Sequence, residues 1–587
     1  MRIGVALCLL PLASTGQVIW DNGSGNNQWG NAVNWNPNSV PTSASSVQFN
    51  ANDGDSTVNN ITLDGNRTAN SLTFNNVNDN FSIGNGSASS TLRLTSRTIT
   101  RTAGSSGNQS LSFTALAPQN DWDAGWNWNI GGTGSLTIAS NISGGWGDNV
   151  KSGAGTLVLS GNNTFSGITY INQGVVVAAS DTALGTSTYG NVIASGAALH
   201  LQNSITLQES NFQVAGSGIS NTGAIRNLSG NNTLNSSINL TGATTIGSDA
   251  GNLTVSSQLS LSHNLTVVGA GNVNFTGDIN NSGTLTKNNS GTLTLSGSGA
   301  NSNSGAITIN QGTVALAKTA GTNAIGGATV TVGDNNTGNG TATLRLDASN
   351  QIADYAGLIT INADGTLQVN NFSESINRLG GTGLVALSTS GYLKVGANSG
   401  DSTFGGSLSG SGTLEKIGSG TLTLTSDLSF DGTLLVSAGK LELTGNRDLD
   451  ATVELKGGTL LLSGTNRDMN IDSLMVTANS IIDFGGTDIR LRLDTLTIAA
   501  GVTLTIQNWA EASDYFFTQN WTGASFNVTG SPMDRVVFTG HSSPNTTHWQ
   551  AYDRQITPVP EPSTYGALLL GGLAAFFALR RRKARQA

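Results

Sequence analysis

Apolar and polar residues alternate with a period of two through much of this chain, in short runs bounded by Gly, Asn and Ser. Leu293 and Leu295 fall on one face of such a run, with Thr292 and Thr294 on the other. Leu422 and Leu424 repeat the arrangement, as do Leu441 and Leu443. A period of two predicts half-buried β-strands, and Thr beside Leu suits a pleated surface. The bounding Gly and Asn tolerate the positive φ of tight turns.

The strands recur in a longer pattern. Residues 151–180 read Lys-Ser-Gly-Ala-Gly-Thr-Leu-Val-Leu-Ser-Gly, a polar Asn/Ser/Gly patch, then Ile168-Thr-Tyr-Ile-Asn-Gln-Gly-Val-Val-Val. Residues 287–318 and 416–445 repeat this layout. Gly155 and Gly174 are nineteen residues apart, Gly291 and Gly312 twenty-one, and Gly420 and Gly439 nineteen. Further Gly-Thr-Leu starts stand at Gly283, Gly365, Gly412, Gly432 and Gly458. A period near twenty is about one coil of a parallel β-solenoid, whose coils bury their apolar sides only by stacking. The rival is a set of antiparallel sandwiches, which also give short alternating strands but no fixed coil period.

The block Gly-Thr-Leu-Thr-Leu-Ser-Gly, followed by Ile-Thr-Ile-Asn-Gln-Gly-Thr-Val, resembles the autotransporter-associated β-strand repeat. The three clearest copies cover about a sixth of the chain, and weaker strands fill most of the rest. The resemblance implies an all-β, right-handed parallel β-helix of the passenger type.

Composition fits that picture. The 587 residues include 77 Gly and only 9 Pro, with 10 % charged residues, too few for ordinary disorder. The formal charge is −9, but the ends distort it. Arg2 and five tail cations account for six of the 26 basic groups, and Glu561 for one of the 35 acids, so residues 17–558 carry a net −14. Such a body is repelled by nucleic acid. The single cysteine, Cys8, permits no disulfide within one chain and no multi-cysteine metal site.

Residues 1–16 combine Arg2, the apolar run 3–12, and small residues, the pattern of a secretory signal peptide and so of Sec-type export. Residues 17–130 are read as an N-terminal cap with the first coils. Trp20, Trp29 and Trp35 close the open solenoid end, or else form a sugar-stacking platform, with the cap preferred. A second group holds Trp122, Trp126, Trp128 and Trp146. Trp126 and Trp128 share a face in an extended strand and are the candidate glycan contact. The preferred alternative is packing inside or against the solenoid. Residues 131–510 are the repeat body and 511–558 a C-terminal cap rich in aromatics. No metal site or cofactor is expected: His541 and His548 lie seven apart in a polar stretch with no third ligand evident.

Residues 559–587 form a tripartite tail. Pro560-Glu561-Pro562 comes first, then an apolar segment carrying Ala567, Leu568, Leu569, Leu570, Leu573, Phe576, Phe577 and Leu579, then Arg580, Arg581, Arg582, Lys583 and Arg585. The fifteen residues 565–579 would span about 22 Å as one transmembrane helix, against a hydrocarbon core of about 30 Å. Flanking arginines can snorkel, and their position keeps the tail end cytoplasmic and the body outside. This order resembles the PEP-CTERM sorting signal. The resemblance implies a Gram-negative-type envelope, an exosortase-type enzyme that recognises Pro560-Glu561-Pro562 and removes the helix, and an exopolysaccharide-linked route. The product would pass through an inner-membrane intermediate to the cell surface or extracellular matrix.

Three functions remain in view. The first is a structural or adhesive surface protein without catalytic activity. The second is a polysaccharide lyase or glycosidase on a β-helix, which needs paired carboxylates or a calcium site; Asp347, Asp354 and Asp364 are separated and read as solvated turn residues. The third is a non-catalytic carbohydrate-binding protein. The first is the expectation.

Overall fold

The computed structural model describes residues 16–558, apart from 51–59, 87–88, 120–122, 337, 339, 427–429, 445–446, 512, 522–531, 541–546 and 551–553. They fall into two compact units, Met1–Thr319 and Ala320–Ala587. Residues 1–15 of the expected signal peptide and the whole tail 559–587, including the expected transmembrane helix, lie outside the described residues. Among the described residues no helix is long and apolar enough to cross a membrane.

Each unit is a parallel β-solenoid, and the antiparallel sandwich is set aside. In the first unit, Leu253 pairs with Val273, Val273 with Leu293, and Leu293 with Val314. Val255, Phe275, Leu295 and Leu316 form the neighbouring row. All eight are buried. The alternation explains this directly: every second side chain points inward, and each inward residue lies under its equivalent one coil later. In the second unit the same ladder runs Leu422, Leu441, Leu460, Ile482, Ile506 and Phe538. Burying each such side chain contributes about 1.5–3 kcal/mol. Polar turn residues stack too: Asn252 Nδ2 donates to Asn231 Oδ1 at 2.9 Å, and Asn272 Nδ2 to Asn252 Oδ1 at 3.1 Å.

The first unit begins with a departure from the pattern. Strand Gln17–Trp20 pairs antiparallel with Trp35–Asn36 and parallel with Ser46–Asn50. Trp20 and Trp29 pack edge-on against Trp35, at ring distances of 4.9 and 4.8 Å, and Phe49 stacks on Phe74. The Trp35 ring nitrogen donates to Trp29 O at 2.7 Å. These rings are buried, so they fill the end of the core and offer no platform. The parallel pairing then crosses residue 130 without a change, since Asn127–Ile130 pairs with strands on both sides. In the second unit the parallel pairing gives way to an antiparallel pair, Thr547–Gln550 against Gln555–Pro558, and the latter also meets Tyr515–Asn520.

The Gly and Lys that mark each repeat have a joint explanation. Gly174, Gly312 and Gly439 adopt φ of +66°, +76° and +63°. A Cβ on each would also come within 2.5 Å of a carbonyl oxygen of the preceding coil. Beneath this turn lies a buried lysine. Lys151 Nζ donates to the carbonyls of Ser152, Gly153 and Gln173 at 3.0, 2.7 and 2.9 Å. Lys287 serves Asn288, Asn289 and Gln311, and Lys416 serves Ile417, Gly418 and Ala438. Two acceptors come from the lysine's own turn and one from the next coil. Three N–H donors meet three carbonyls, so the clamp matches an ammonium group. Burial pulls the other way, lowering Lys151 to about 7 and Lys287 to about 8.

Replacing Lys287 by Met leaves three interior carbonyls without that donor and should cost on the order of 2 kcal/mol in urea unfolding. Gly439→Ala should destabilise by more than about 1 kcal/mol, whereas Gly321→Ala, also at positive φ but with open space around its Cβ, should cost less. Equal midpoint shifts for the two glycine variants would show that close approach of the coils is unimportant.

Candidate functional site

The sorting residues Pro560, Glu561 and Pro562, the anchor residues between 567 and 579 and the basic group at 580–585 all lie outside the described residues. The described chain ends in the antiparallel strand Gln555–Pro558, so the motif follows a hydrogen-bonded strand directly.

The structure rules out the candidate glycan contact at Trp126 and Trp128 and bears out the preferred alternative, packing inside the solenoid. They do share a face, but it is the inner one, and both rings are fully buried. Trp126 Nε1 donates to Ser143 O at 3.1 Å, and Trp128 packs on Phe165 at a ring distance of 5.7 Å. Neither can stack on a sugar. Trp146, from the same group, lies in a glycine-rich turn and is 75 % exposed. Alternation placed Trp126 and Trp128 together, but it could not say which face the next coil would cover.

Of the three carboxylates singled out for hydrolytic chemistry, Asp354 is exposed in a turn and the other two are tied to neighbouring groups. Asp347 is paired with Arg345, at 2.7 Å for both oxygens. Asp364 accepts the backbone N–H groups of Asp334 and Asn335 and shapes a turn. Among the described residues no three His, Cys, Asp or Glu side chains are grouped to hold a metal ion. His548 lies in the antiparallel strand Thr547–Gln550, and His541 is outside the described residues.

The second unit carries an open groove of about 590 Å³ on one strand face, lined by Leu358, Thr360, Arg378, Gly380, Asp401 and Glu442 among others. Gly380 supplies no side chain, and this leaves the hollow. Asp401 Oδ1 accepts from Thr421 N at 2.7 Å, and Glu442 Oε2 from Thr423 Oγ1 at 2.6 Å, so both carboxylates are tied to neighbouring coils. The groove offers hydroxyl, carboxylate and guanidinium groups for hydrogen bonding.

The first unit buries a carboxyl group. Glu209 is only 4 % exposed and its Oε2 has no hydrogen-bond partner among the described residues. Burial raises its pKa to about 7, with Asn191 offsetting part of the shift.

With the fold in place, four segments match the Passenger-associated-transport-repeat: 150–178, 285–316, 337–369 and 414–443. Residues 558–583 match the PEP-CTERM protein-sorting motif. No curated protein and no solved structure matches the chain. The chain thus carries both the repeats and the sorting motif, which imply an exported, cell-surface protein processed by an exosortase-type system.

Three matched segments contain the clamp lysines Lys151, Lys287 and Lys416. The fourth is not among the three clear copies of the sequence, where Gly365 stands only as a further Gly-Thr-Leu start. It has no lysine at the corresponding place, and an excursion separates Ala342–Leu346 from Leu358–Ile361. Its three strands, ending with Gly365–Asn370, nevertheless follow the layout of Thr292–Gly297, Ile307–Ile309 and Gly312–Lys318.

Because the folded pKa of Glu209 lies above its ordinary 4.5, the folded state holds a proton that the unfolded state has released between about pH 4.5 and 7. Its contribution to stability is therefore present at low pH and lost as pH rises through about 7. Glu209→Gln should stabilise the first unit above pH 7, by up to about 3 kcal/mol, and give little change below pH 4.5. A stability difference independent of pH, followed by chemical denaturation across this range, would refute the assignment.

Proposed function

We propose that this chain is a non-catalytic structural and adhesive protein of a bacterial surface or extracellular matrix. The observation that carries the proposal is the order of its parts: a stacked β-solenoid body, then a PEP-CTERM match over residues 558–583. Sec-type machinery exports the chain, and an exosortase-type enzyme recognises Pro560-Glu561-Pro562. The apolar segment holds the chain in the inner membrane until it is processed, and the route supports a link to exopolysaccharide. A right-handed coil is part of this reading, as in the passenger-type β-helix that the repeats resemble.

A solenoid suits such a role physically. It grows by adding coils, each stabilised by its neighbours, and it exposes long rows of polar side chains. The ties that hold Asp347, Asp364, Asp401 and Glu442 favour scaffold roles for these carboxylates over hydrolysis.

Replacing Pro560, Glu561 and Pro562 together by Ala should retain the protein in the cell envelope with its tail intact, whereas the native protein should label on intact cells and lack the residues after the motif. Immunolabelling and mass spectrometry of the C-terminal peptide check this. A native surface form retaining residues 580–585 would contradict processing, and a deletion strain with unchanged attachment, aggregation and matrix would contradict the adhesive role.

A further inference from the structure

Two large aromatic side chains of the first unit face solvent: Trp146, 75 % exposed, and Tyr189, 65 % exposed. Both occupy turns, and coil stacking brings these turns into one line. Ser166 N donates to Gly145 O at 3.3 Å, and Thr186 N to Phe165 O at 2.8 Å. Just downstream the register runs Asn149, Thr169, Asn191. Gly167 overlies Gly147 beside Trp146, and Tyr189 lies in the stretch 187–190 that spans residues 167–168 of the coil below. Between the two turns the middle coil presents Ser166 and Gly167, with the partly exposed Ile168 beside them. Two coil steps separate the backbones of these turns by about 10 Å along the stack. The spacing is held by backbone contact, since a Cβ on Gly167 would lie 1.9 Å from Gly147 O.

A single exposed ring needs no explanation. Two rings on turns held two coils apart do, in a chain that buries Trp20, Trp29, Trp35, Trp126 and Trp128. We infer that Trp146 and Tyr189 form a binding strip for an extended, neutral, β-linked polysaccharide, one sugar ring stacking on each aromatic face. Trp and Tyr pair an apolar face with a polar edge, which matches the C–H face and hydroxyl rim of a pyranose. Exposed Asp148, Thr186 and Thr188 flank the rings and can meet those hydroxyls. The net −14 of residues 17–558 disfavours a polyanion, which restricts the strip to glycans without acidic groups. In an extended β-1,4 chain every second ring presents the same face after one disaccharide rise, close to two coil steps. A curled α-linked chain does not keep that repeat.

The strip extends the surface role by naming a partner, but its test is independent of sorting because it uses purified full-length protein. Cellohexaose is titrated against this protein by calorimetry and tryptophan fluorescence. Saturable binding is expected, weakened about tenfold or more by Trp146→Ala or by Tyr189→Ala. Tyr355→Ala, which removes a 63 % exposed ring in the second unit, should bind as native, and maltohexaose should not bind. Both strip variants should keep the native melting temperature, because the rings they remove are exposed. Absence of cellohexaose binding by the native protein overturns the inference, as does native-like binding by both strip variants. Self-association abolished by both substitutions, without cellohexaose binding, would assign the rings to a second copy of the chain and overturn it equally.

Discussion

The parallel hydrogen bonding of each coil to the next is the constraint from which the other features follow. It sets adjacent backbones about 4.8 Å apart and leaves no freedom of register, because a slip of one residue would turn every Leu outward. Like residues therefore stack on like: Leu441 on Leu422, Leu460 on Leu441, Asn272 on Asn252. At the turns the same closeness excludes side chains, which is why Gly174, Gly312 and Gly439 have no room for a Cβ. Carbonyls crowd inward at those turns, and Lys151, Lys287 and Lys416 supply the donors they need.

The buried lysine shows how this fold handles an expensive group. An ammonium taken from water is costly unless its hydrogens are satisfied. Here all three find carbonyls, and one of the three belongs to the following coil. The clamp therefore ties two coils together, so a residue that looks like a surface charge in the sequence works as a joint. Where the matched repeat 337–369 lacks the lysine, other polar side chains serve the turns: Asn362 Nδ2 donates to Gly333 O at 2.7 Å, and Asp364 accepts from Asp334 and Asn335.

The solenoid also divides labour between faces. Inward positions are spent on packing, including the aromatic groups around Trp35 and around Trp128. Recognition must then come from turns and outward rows, where neighbouring coils present side chains at a regular step. The stacked turns that carry Trp146 and Tyr189 and the groove around Gly380 are both products of stacking, built from residues some twenty or more apart in the chain. A repeat body with such surfaces, followed by a PEP-CTERM motif, is suited to contacts outside the cell.

The amino-acid order alone determined which residues share a strand face, the coil length near twenty and the nature of the tail, and it favoured parallel stacking over the sandwich that the structure then set aside. These are local or periodic properties: Leu293 and Leu295 point the same way in any strand, and Pro560-Glu561-Pro562 with its apolar and basic followers needs no partner to be read. Only the tertiary structure decided which aromatics were covered, where Lys151 ended and that residues 337–369 form an equivalent repeat. The reason is that these outcomes depend on the coil above and the coil below. Their offset in sequence varies with every excursion between strands, so Trp126 and Trp146 look alike in the chain and differ only once their neighbours are in place.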